Sequence, residues 1–519
     1  MLSPAPIDPN YRLQCVSYAP FRGEQTPLLE STHVDAAQIE QDLRRLHEVT
    51  DCIRTYSIEN GLDQVPAIAT KVGLKVMQGV WIGSNQNANR AQIATAVRLT
   101  KDFPKTIISL VVGNEVLLRG EMTASDLAAI IRQVKAQVKV RVTYADVWEF
   151  WLKNREIYDV VDFVTIHILP YWEDIPVRAS LAAGHVNEIR QRMAVAFPNK
   201  EILIGETGWP SHGRMREGAL PSRTNQARVV SEILSLARAQ NFKVNLIEAY
   251  DQPWKRRIEG TVGGYWGLFD SVQRELKYPA GVPISNFPWW KWYMGLGVAF
   301  SILVFLVATV SLRHKPWKPR PAVWLGVGIT ATSAGILLGV GFDKMYYEAH
   351  GVGGWLQWGA LFAAALVAPL LSARALVSGQ GLPTFLELIG PRQGRSHALA
   401  VILLGLTLAV TVVLAAEMAL GLVFDPRYRD FPFASLTMAV VPFAMLLVNR
   451  SSSGVRPIAE GLFATLLVLS SACIVVNEGG SSWHSLNWQS LWTCAVFVLL
   501  AFTLWLARAG QNPAEPPAA

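Results

Sequence analysis

Two patterns of apolar positions divide this chain. Up to about Pro288, short apolar or β-branched runs alternate with stretches whose apolar residues recur at helical spacing. From Trp289 onward the chain is a series of long apolar runs with few charges between them. The first pattern is typical of a domain in which strands and helices alternate. The second is typical of helices that cross a membrane.

The first region contains eight predicted strands and at least five predicted helices. The strands lie at 13–18, 52–56, 75–80, 107–113, 141–144, 163–168, 201–205 and 244–249, and the helices at 35–49, 88–102, 123–138, 179–197 and 224–240. Eight alternating units in about 280 residues predict a (β/α)8 TIM barrel over 1–287. An open doubly wound sheet is the alternative, but no Gly-rich phosphate loop follows the first strand.

The second region contains seven apolar runs. They lie at 289–312, 321–342, 355–376, 398–423, 431–448, 458–476 and 488–507. A spanning helix needs roughly 20 apolar residues, and the fifth and sixth runs are short by that measure. We expect an all-α transmembrane bundle of about seven helices over 288–507, followed by a disordered tail at 508–519. A second soluble domain is the alternative, but core helices rarely run this long without a polar face.

The net charge of +7 is placed in a way that indicates a membrane rather than nucleic acid. Alternate loops between the apolar runs hold most of the basic residues, namely Arg313, Lys315, Lys318, Arg320, Arg392, Arg395, Arg450, Arg456 and Arg508. The opposite loops hold fewer. Basic loops stay in the cytoplasm, so the N-terminal domain is expected on the periplasmic side of an inner membrane. The absence of a signal-peptide pattern at the start of the sequence speaks against this placement.

The four cysteines suggest no metal site. Cys473 and Cys494 lie in apolar runs, whereas Cys15 and Cys52 lie in predicted strands and are most simply buried thiols. The sequence has no CxxC pair and no zinc-ligand spacing. No cofactor or metal is expected.

Two carboxylates stand where a barrel of this kind places its active site. Glu115 follows the fourth predicted strand and Glu206 follows the seventh, so both would lie at the C-terminal mouth. Cleavage of a glycosidic bond needs an acid and a facing carboxylate, about 5–5.5 Å apart in a retaining enzyme. A single Glu at a strand end is often only a salt bridge or a helix cap. The pair at strands four and seven favours the catalytic interpretation.

Other residues near the strand ends suit such a site. Six tryptophans offer flat faces for sugar rings, although each could equally be core packing: Trp81, Trp148, Trp151, Trp172, Trp209 and Trp254. His167 is expected to be a hydrogen-bonded supporting group rather than a ligand or base. Arg54, inside the second strand, is expected to be buried and paired with a carboxylate.

Four segments resemble glycoside hydrolase family 17, the β-1,3-glucanases and glucan transglycosylases. They read VGNEV at 112–116, GETGWPS at 205–211, CIRTY at 52–56 and EAYDQPWK at 248–255. The similarity runs across most of 11–278. Gln252 replaces the acidic residue common in the family, which puts one sugar contact in doubt.

The resemblance implies roles for individual residues. Glu206 would be the nucleophile and Glu115 the general acid/base, while Asn114 would bind the sugar 2-hydroxyl. Tyr171 would orient the Glu206 carboxylate. The remaining cleft residues implied are Tyr18, Trp209, Glu248, Trp254 and Lys255. No metal or cofactor is implied.

The fusion of such a barrel to several membrane helices resembles bacterial proteins of β-1,3/β-1,6-glucan synthesis at the inner membrane. It implies a membrane-bound retaining β-glucan transglycosylase whose partners are β-1,3-glucan chains or oligosaccharides, the lipid bilayer and a separate membrane glucan synthase. A membrane-anchored endo-β-1,3-glucanase and an inactive glucan-binding scaffold remain alternatives. The sequence lacks the paired aspartates and QxxRW-type segment of a polymerising glycosyltransferase.

Overall fold

The computed structural model describes residues 12–278, 282–313, 318–389, 399–449, 457–480, 482 and 485–507. The chain divides into two units, Met1–Asn286 and Phe287–Ala519. The first holds the strands and the second holds long apolar helices, and each is considered by itself.

Eight parallel strands close into a barrel in the first unit. They are β1 (Cys15–Ser17), β2 (Cys52–Arg54), β3 (Lys75–Val80), β4 (Ile107–Asn114), β5 (Arg141–Val147), β6 (Val164–His167), β7 (Ile202–Thr207) and β8 (Lys243–Leu246). Each strand pairs with the next along the chain, and β8 returns to pair with β1. The predicted TIM barrel is therefore confirmed.

Helices follow the strands around the barrel. They are α1 (Ala36–His47), α2 (Val65–Val72), α3 (Gln86–Asp102), α4 (Ala124–Lys135), α5 (Trp148–Lys153), α6 (Glu156–Val160), α7 (Ala179–Ala196), α8 (Arg223–Gln240) and α9 (Arg256–Gly263). Side chains of Asp35, Thr123 and Ser222 cap the first turns of α1, α4 and α8 by accepting backbone N–H groups. All five predicted helices are present.

A disulfide joins Cys15 to Cys52. The two residues lie on neighbouring strands, in a register that sets Val16 opposite Ile53. Their Cα atoms are consequently 4.4 Å apart, within the reach of a disulfide. The expectation of two free buried thiols was wrong, because it ignored the adjacency that barrel closure imposes on the first two strands.

The second unit is entirely helical among the residues that the structure describes. Its helices are α10 (Trp290–Leu312), α11 (Pro321–Glu348), α12 (Gly351–Val377), α13 (Phe385–Ile389), α14 (Leu399–Phe424), α15 (Phe433–Met445), α16 (Ile458–Glu478) and α17 (Trp488–Leu506). Six of them are long and apolar enough to cross a membrane.

The fifth apolar run forms a shorter structure than the other six. It gives α15, which contains Pro442, and a 3-10 turn at Leu446–Asn449. The combined segment Phe433–Asn449 is apolar but shorter than the six candidate spans. The count of about seven spans therefore stays a prediction.

The tail at 508–519 and several predicted loop residues lie outside the described residues, namely Lys315, Arg392, Arg395, Arg450, Arg456 and Arg508.

Candidate active site

The predicted carboxylates meet at the C-terminal mouth of the barrel. Glu206 lies near the end of β7, and Glu115 follows β4 directly. One oxygen of each carboxylate and a ring nitrogen of His167 all lie within 4.8 Å of one another. This spacing agrees with a retaining pair and is shorter than the roughly 6.5–9.5 Å that an inverting enzyme needs for a water molecule.

Arg54 and Tyr56 hold the Glu206 carboxylate. Arg54 is fully buried, and its Nη1 lies 3.3 Å from Glu206 Oε1 while also donating to the Gly205 carbonyl at 2.7 Å. The Tyr56 hydroxyl donates to the same Oε1 at 2.8 Å. These donors stabilise the ionised carboxylate that a nucleophile requires. The predicted pairing of Arg54 with a carboxylate is confirmed.

The backbone at the end of β4 turns sharply to present Glu115. Gly113 has φ +88°, and Glu115 itself has φ +54°, which is uncommon for a residue with a side chain. A Cβ added to Gly113 would lie 2.8 Å from the Val116 side chain. The Glu115 backbone N–H donates a hydrogen bond to the Ala145 carbonyl at 2.8 Å. Such local strain is typical of a functional site.

Glu115 is half-buried and contacts His167. Its Oε1 lies 2.7 Å from His167 Nδ1, so the histidine is hydrogen-bonded as expected, and its supporting role stays a prediction. Desolvation raises the pKa of Glu115, but the hydrogen bond from His167 and the positive charges of Arg54 and Arg119 outweigh it. The pKa of Glu115 therefore lies below its ordinary value. The two carboxylates thus have different partners, as an acid and a nucleophile must.

Asn114 is an uncharged neighbour of these charged side chains. Its Oδ1 accepts a hydrogen bond from Arg54 Nη2 at 2.5 Å. Among the described residues, nothing accepts a hydrogen bond from its Nδ2 group. The amide N–H groups are therefore available to a sugar hydroxyl beside Glu206, and the predicted contact with the 2-hydroxyl stays a prediction.

The trio of Glu115, His167 and Glu206 also has the spacing of metal ligands. The Arg54 guanidinium, however, already lies 3.3 Å from Glu206 Oε1 and from His167 Nε2. A fixed positive charge at that distance disfavours a divalent cation, since like charges repel strongly in a site shielded from water. The donor set fits an organic substrate better than a metal ion.

A second buried carboxylate follows β8. Glu248 is almost fully buried, and Lys255 Nζ lies 3.0 Å from both of its carboxylate oxygens. Burial raises the pKa of Glu248 to about 7 even though Lys255 acts to lower it. The charges of Glu206 and Glu248 both act on Tyr56, so the Glu248–Lys255 pair lies near Glu206.

Trp254 and Gln252 stand beside the Glu248–Lys255 pair in the chain. Trp254 is half-buried, and its Nε1 donates to Gln252 Oε1 at 2.9 Å. The Gln252 amide in turn donates to the carbonyls of Ala19 at 2.9 Å and Tyr250 at 3.1 Å. Gln252, which departs from the family pattern, is thus a buried connector that needs both a donor and an acceptor.

The orienting contact assigned to Tyr171 is made by another tyrosine. Tyr171 is fully buried, and its hydroxyl donates to the Arg214 carbonyl at 3.0 Å. The hydroxyl that donates a hydrogen bond to Glu206 belongs to Tyr56 instead. The sequence offered one signal for Tyr56, because it lies two residues after Arg54 and alternate residues of a strand share a face.

Tyr18 and Trp209 are also buried rather than exposed to the cleft. The Tyr18 hydroxyl donates to Asp42 of α1 at 3.1 Å, and Trp209 Nε1 donates to the Leu220 carbonyl at 3.1 Å. Their exposed fractions are 1% and 0%, which leaves no surface for a sugar. Both predictions of direct substrate contact are wrong, since these rings pack inward to support the mouth.

The tryptophans near the strand ends divide between core and surface. Trp151 is buried and donates to the Thr165 carbonyl at 2.8 Å, so it belongs to the core. Trp81, which follows β3, keeps 38% of its surface exposed. The Arg119 guanidinium lies over its ring at 4.2 Å. Trp81 therefore offers a partly exposed aromatic ring near Glu115, because Arg119 contacts both residues.

Comparison with known proteins identifies a family for the barrel. Residues 15–267 match the family described as the BtgE/BtgC glycoside hydrolase domain. The chain thus carries a family-17-like glycoside hydrolase domain of the BtgE/BtgC type, followed by a region with six apolar helices.

Several relatives are fungal. A glucan 1,3-beta-glucosidase of Candida albicans is 28% identical over 272 residues, which cover 48% of this chain and 88% of the relative. The Saccharomyces cerevisiae protein of the same name is 26% identical over 48% and 86%. A solved family-17 beta-1,3-glucanosyltransferase from Rhizomucor miehei has 23% identity and a TM-score of 0.46, covering 51% of this chain and 95% of that one.

Proposed function

We propose that the barrel is a retaining β-glucan transglycosylase that acts on β-1,3-linked glucan through a glycosyl-enzyme intermediate. The main observation behind this proposal is that one oxygen of Glu115 and one of Glu206 lie within 4.8 Å of each other. The two carboxylates also have different partners, since Tyr56 contacts Glu206 and His167 contacts Glu115. An inactive scaffold would have no need of a nucleophile held by two donors.

The geometry supports a two-step reaction. Glu206 attacks the anomeric carbon while Glu115 gives a proton to the leaving oxygen, and a glycosyl ester forms on Glu206. In the second step Glu115 takes the proton of an incoming hydroxyl, which attacks the ester and frees Glu206. When that hydroxyl belongs to a sugar the product is a transferred chain, and when it belongs to water the product is a hydrolysed one.

The substrate class follows from the relatives and from the mouth of the barrel. The Candida albicans and Saccharomyces cerevisiae relatives are named glucan 1,3-beta-glucosidases, which supports a β-1,3-glucan. The exposed face of Trp81 and the amide of Asn114 suit a sugar ring and its hydroxyls. A ring held on an aromatic face in an acceptor position would exclude water and favour transfer.

We also propose that the second unit anchors this barrel in the bacterial inner membrane, with the barrel on the periplasmic side. The Cys15–Cys52 disulfide supports this placement, since disulfides persist in oxidising compartments. The basic residues Arg313, Lys318 and Arg320, which follow the end of α10 opposite the barrel connection, also support it. A separate membrane glucan synthase fits as the source of the chains.

Product length tests the proposed reaction. The full-length protein in lipid nanodiscs is incubated with a defined β-1,3-gluco-oligosaccharide, and the products are measured by mass spectrometry. Products longer than the substrate are expected from the wild type and not from Glu206→Gln. Exclusively shorter products would instead indicate a membrane-anchored endo-β-1,3-glucanase.

A matched control comes from the residue that precedes the same strand. Glu201 lies just before β7 and pairs with Arg141 and Lys243 at the opposite end of the barrel. Glu201→Gln removes the same kind of charge far from the barrel mouth, so it should keep full activity. Unchanged turnover in Glu206→Gln would remove the catalytic assignment altogether.

A periplasmic reporter tests the placement. A reporter that is active only in the periplasm, fused at the N-terminal end of the full-length chain, should be active. An inserted but inactive fusion would place the barrel in the cytoplasm.

A further inference from the structure

His167 lies between the two catalytic carboxylates and is completely buried. Its Nδ1 is 2.7 Å from Glu115 Oε1. Its Nε2 is 3.3 Å from Arg54 Nη1 and 3.6 Å from Glu206 Oε1. One ring therefore contacts the acid/base through one nitrogen and the guanidinium through the other.

Arg54 fixes the tautomer of this ring. A guanidinium has only donors and does not lose its proton in proteins. Its contact with Nε2 is a hydrogen bond only if Nε2 keeps its lone pair. Glu206 Oε1, at 3.6 Å, lies beyond normal hydrogen-bond distance from Nε2. The ring proton therefore resides on Nδ1.

Four charged side chains face this ring. Arg54 faces it from β2, Glu115 from the end of β4, Asp146 from β5 and Glu206 from β7. Both oxygens of Asp146 already accept hydrogen bonds, one from the Tyr144 hydroxyl and one from the Val147 N–H at 2.7 Å. A proton added at Nε2 would point directly at the Arg54 guanidinium.

We propose that His167 is a positioning residue that determines which oxygen of Glu115 carries the catalytic proton. The Nδ1–H donates to Oε1, so Oε1 is occupied as an acceptor and the acid proton resides on Oε2. This inference rests on the proposed function, because it assigns the orientation of the same acid/base.

The proton then follows a defined course. The Oε2–H bond of Glu115 breaks and its proton goes to the glycosidic oxygen. That oxygen takes the electrons of its bond to the anomeric carbon, and a Glu206 oxygen forms the new bond to that carbon. The Nδ1–H of His167 stabilises the Glu115 carboxylate that remains. In the second step the acceptor hydroxyl returns a proton to Oε2, and His167 keeps its own proton throughout.

Nitrogen NMR tests the tautomer directly. Full-length protein labelled with ¹⁵N-histidine is compared with His167→Asn, which identifies the signals of this ring. We expect a ring that carries a proton on Nδ1 and none on Nε2. A ring protonated at Nε2, or an imidazolium over the pH range of activity, would overturn the proposal.

Kinetics with two leaving groups tests the consequence. His167→Leu removes the donor, whereas the amide of His167→Asn can still donate toward Glu115. On a β-1,3-gluco-oligosaccharide, His167→Leu should lose about 100-fold in kcat/KM and His167→Asn less than about 10-fold. On an aryl glycoside whose phenolate leaves without protonation, both should stay within about threefold of the wild type.

The pH profile separates positioning from a general loss of structure. His167→Leu should move the alkaline limb of kcat/KM to higher pH, because its Glu115 carboxylate has lost a donor. Equal losses on both substrates with an unmoved limb would contradict the inference. Activity retained by Glu206→Gln would instead contradict the proposed function, so the two failures are distinguishable.

Discussion

One buried charged pair from each unit of this chain shows two different ways of assembly. In the barrel, Glu206 of β7 is held by Arg54 of β2 and lies beside His167 of β6. In the helical unit, the buried Lys344 pairs with Glu348 one turn further along α11. The first arrangement requires several distant strands to come together. The second requires only a helix.

This difference distinguishes a functional site from a charge pair that forms within a single helix. A pair four residues apart forms wherever a helix forms, and it satisfies two charges in an apolar region. A centre assembled from four strands exists only when the whole barrel closes. Its residues are therefore held in fixed geometry by the fold, which is what catalysis by two carboxylates demands.

The largest expected effect comes from breaking the assembled centre at Arg54. Arg54→Met leaves Glu206 without its guanidinium, and removing one partner of a buried ion pair costs about 3–5 kcal/mol. Turnover should fall by roughly 100-fold or more because the nucleophile loses its position. Lys344→Met, in the helical unit, should leave kcat/KM unchanged. Thermal unfolding measures the stability of both variants, and an oligosaccharide assay measures their turnover. Equal losses of turnover in the two variants would contradict the difference proposed between the two units.

A pair of tyrosines sharpens the comparison within the barrel. Tyr56→Phe removes the 2.8 Å hydrogen bond to Glu206 and should lower kcat about 10-fold, as expected for a hydrogen bond to a charged group. Tyr171→Phe removes a bond to a backbone carbonyl instead and should change kcat by less than about threefold. A larger loss in Tyr171→Phe would restore the role that family resemblance suggested.

The pH dependence reports on the acid of the assembled centre. Glu115 must be protonated to act as an acid, so kcat/KM falls as pH rises through its pKa. Hydrogen bonding to His167 and nearby positive charges overcome desolvation and lower that pKa. We therefore expect the alkaline limb on the acidic side of neutrality. A kcat/KM that stays level above pH 7 would contradict this assignment of the acid.

The smallest effect on turnover is expected from the disulfide. Cys52→Ser should lower the stability of the barrel by about 3 kcal/mol, in the usual range for a disulfide, while kcat stays near the wild-type value. In cells, Cys15 and Cys52 should react with maleimide only after reduction. Labelling without reduction, in denatured samples quenched at lysis, would argue against an oxidising compartment.

The sequence was informative wherever one local pattern sufficed. Strand periodicity located all eight strands, and the strand ends located Glu115 and Glu206. These local patterns did not show which way the neighbouring side chains point. Trp209 belongs to a specific motif, yet its ring turns inward and is fully buried. Motif resemblance conveys a position in the chain but not the packing around it.

The remaining differences also depend on tertiary structure. The Cys15–Cys52 bond required the register of β1 against β2, which alternation alone does not specify. Tyr56 became recognisable only when its hydroxyl was seen on Glu206. The fifth apolar run ends in a 3-10 turn at Leu446–Asn449, which its apolar composition does not specify.

Trapping the intermediate tests the central claim most directly. A 2-deoxy-2-fluoro β-1,3-linked disaccharide with a good leaving group slows the second step, so a glycosyl ester should accumulate on the enzyme. Peptide mass spectrometry of the full-length protein should find the added disaccharide on Glu206, with none in Glu206→Gln. An adduct on another residue, or turnover with inversion at the anomeric carbon, would contradict the account.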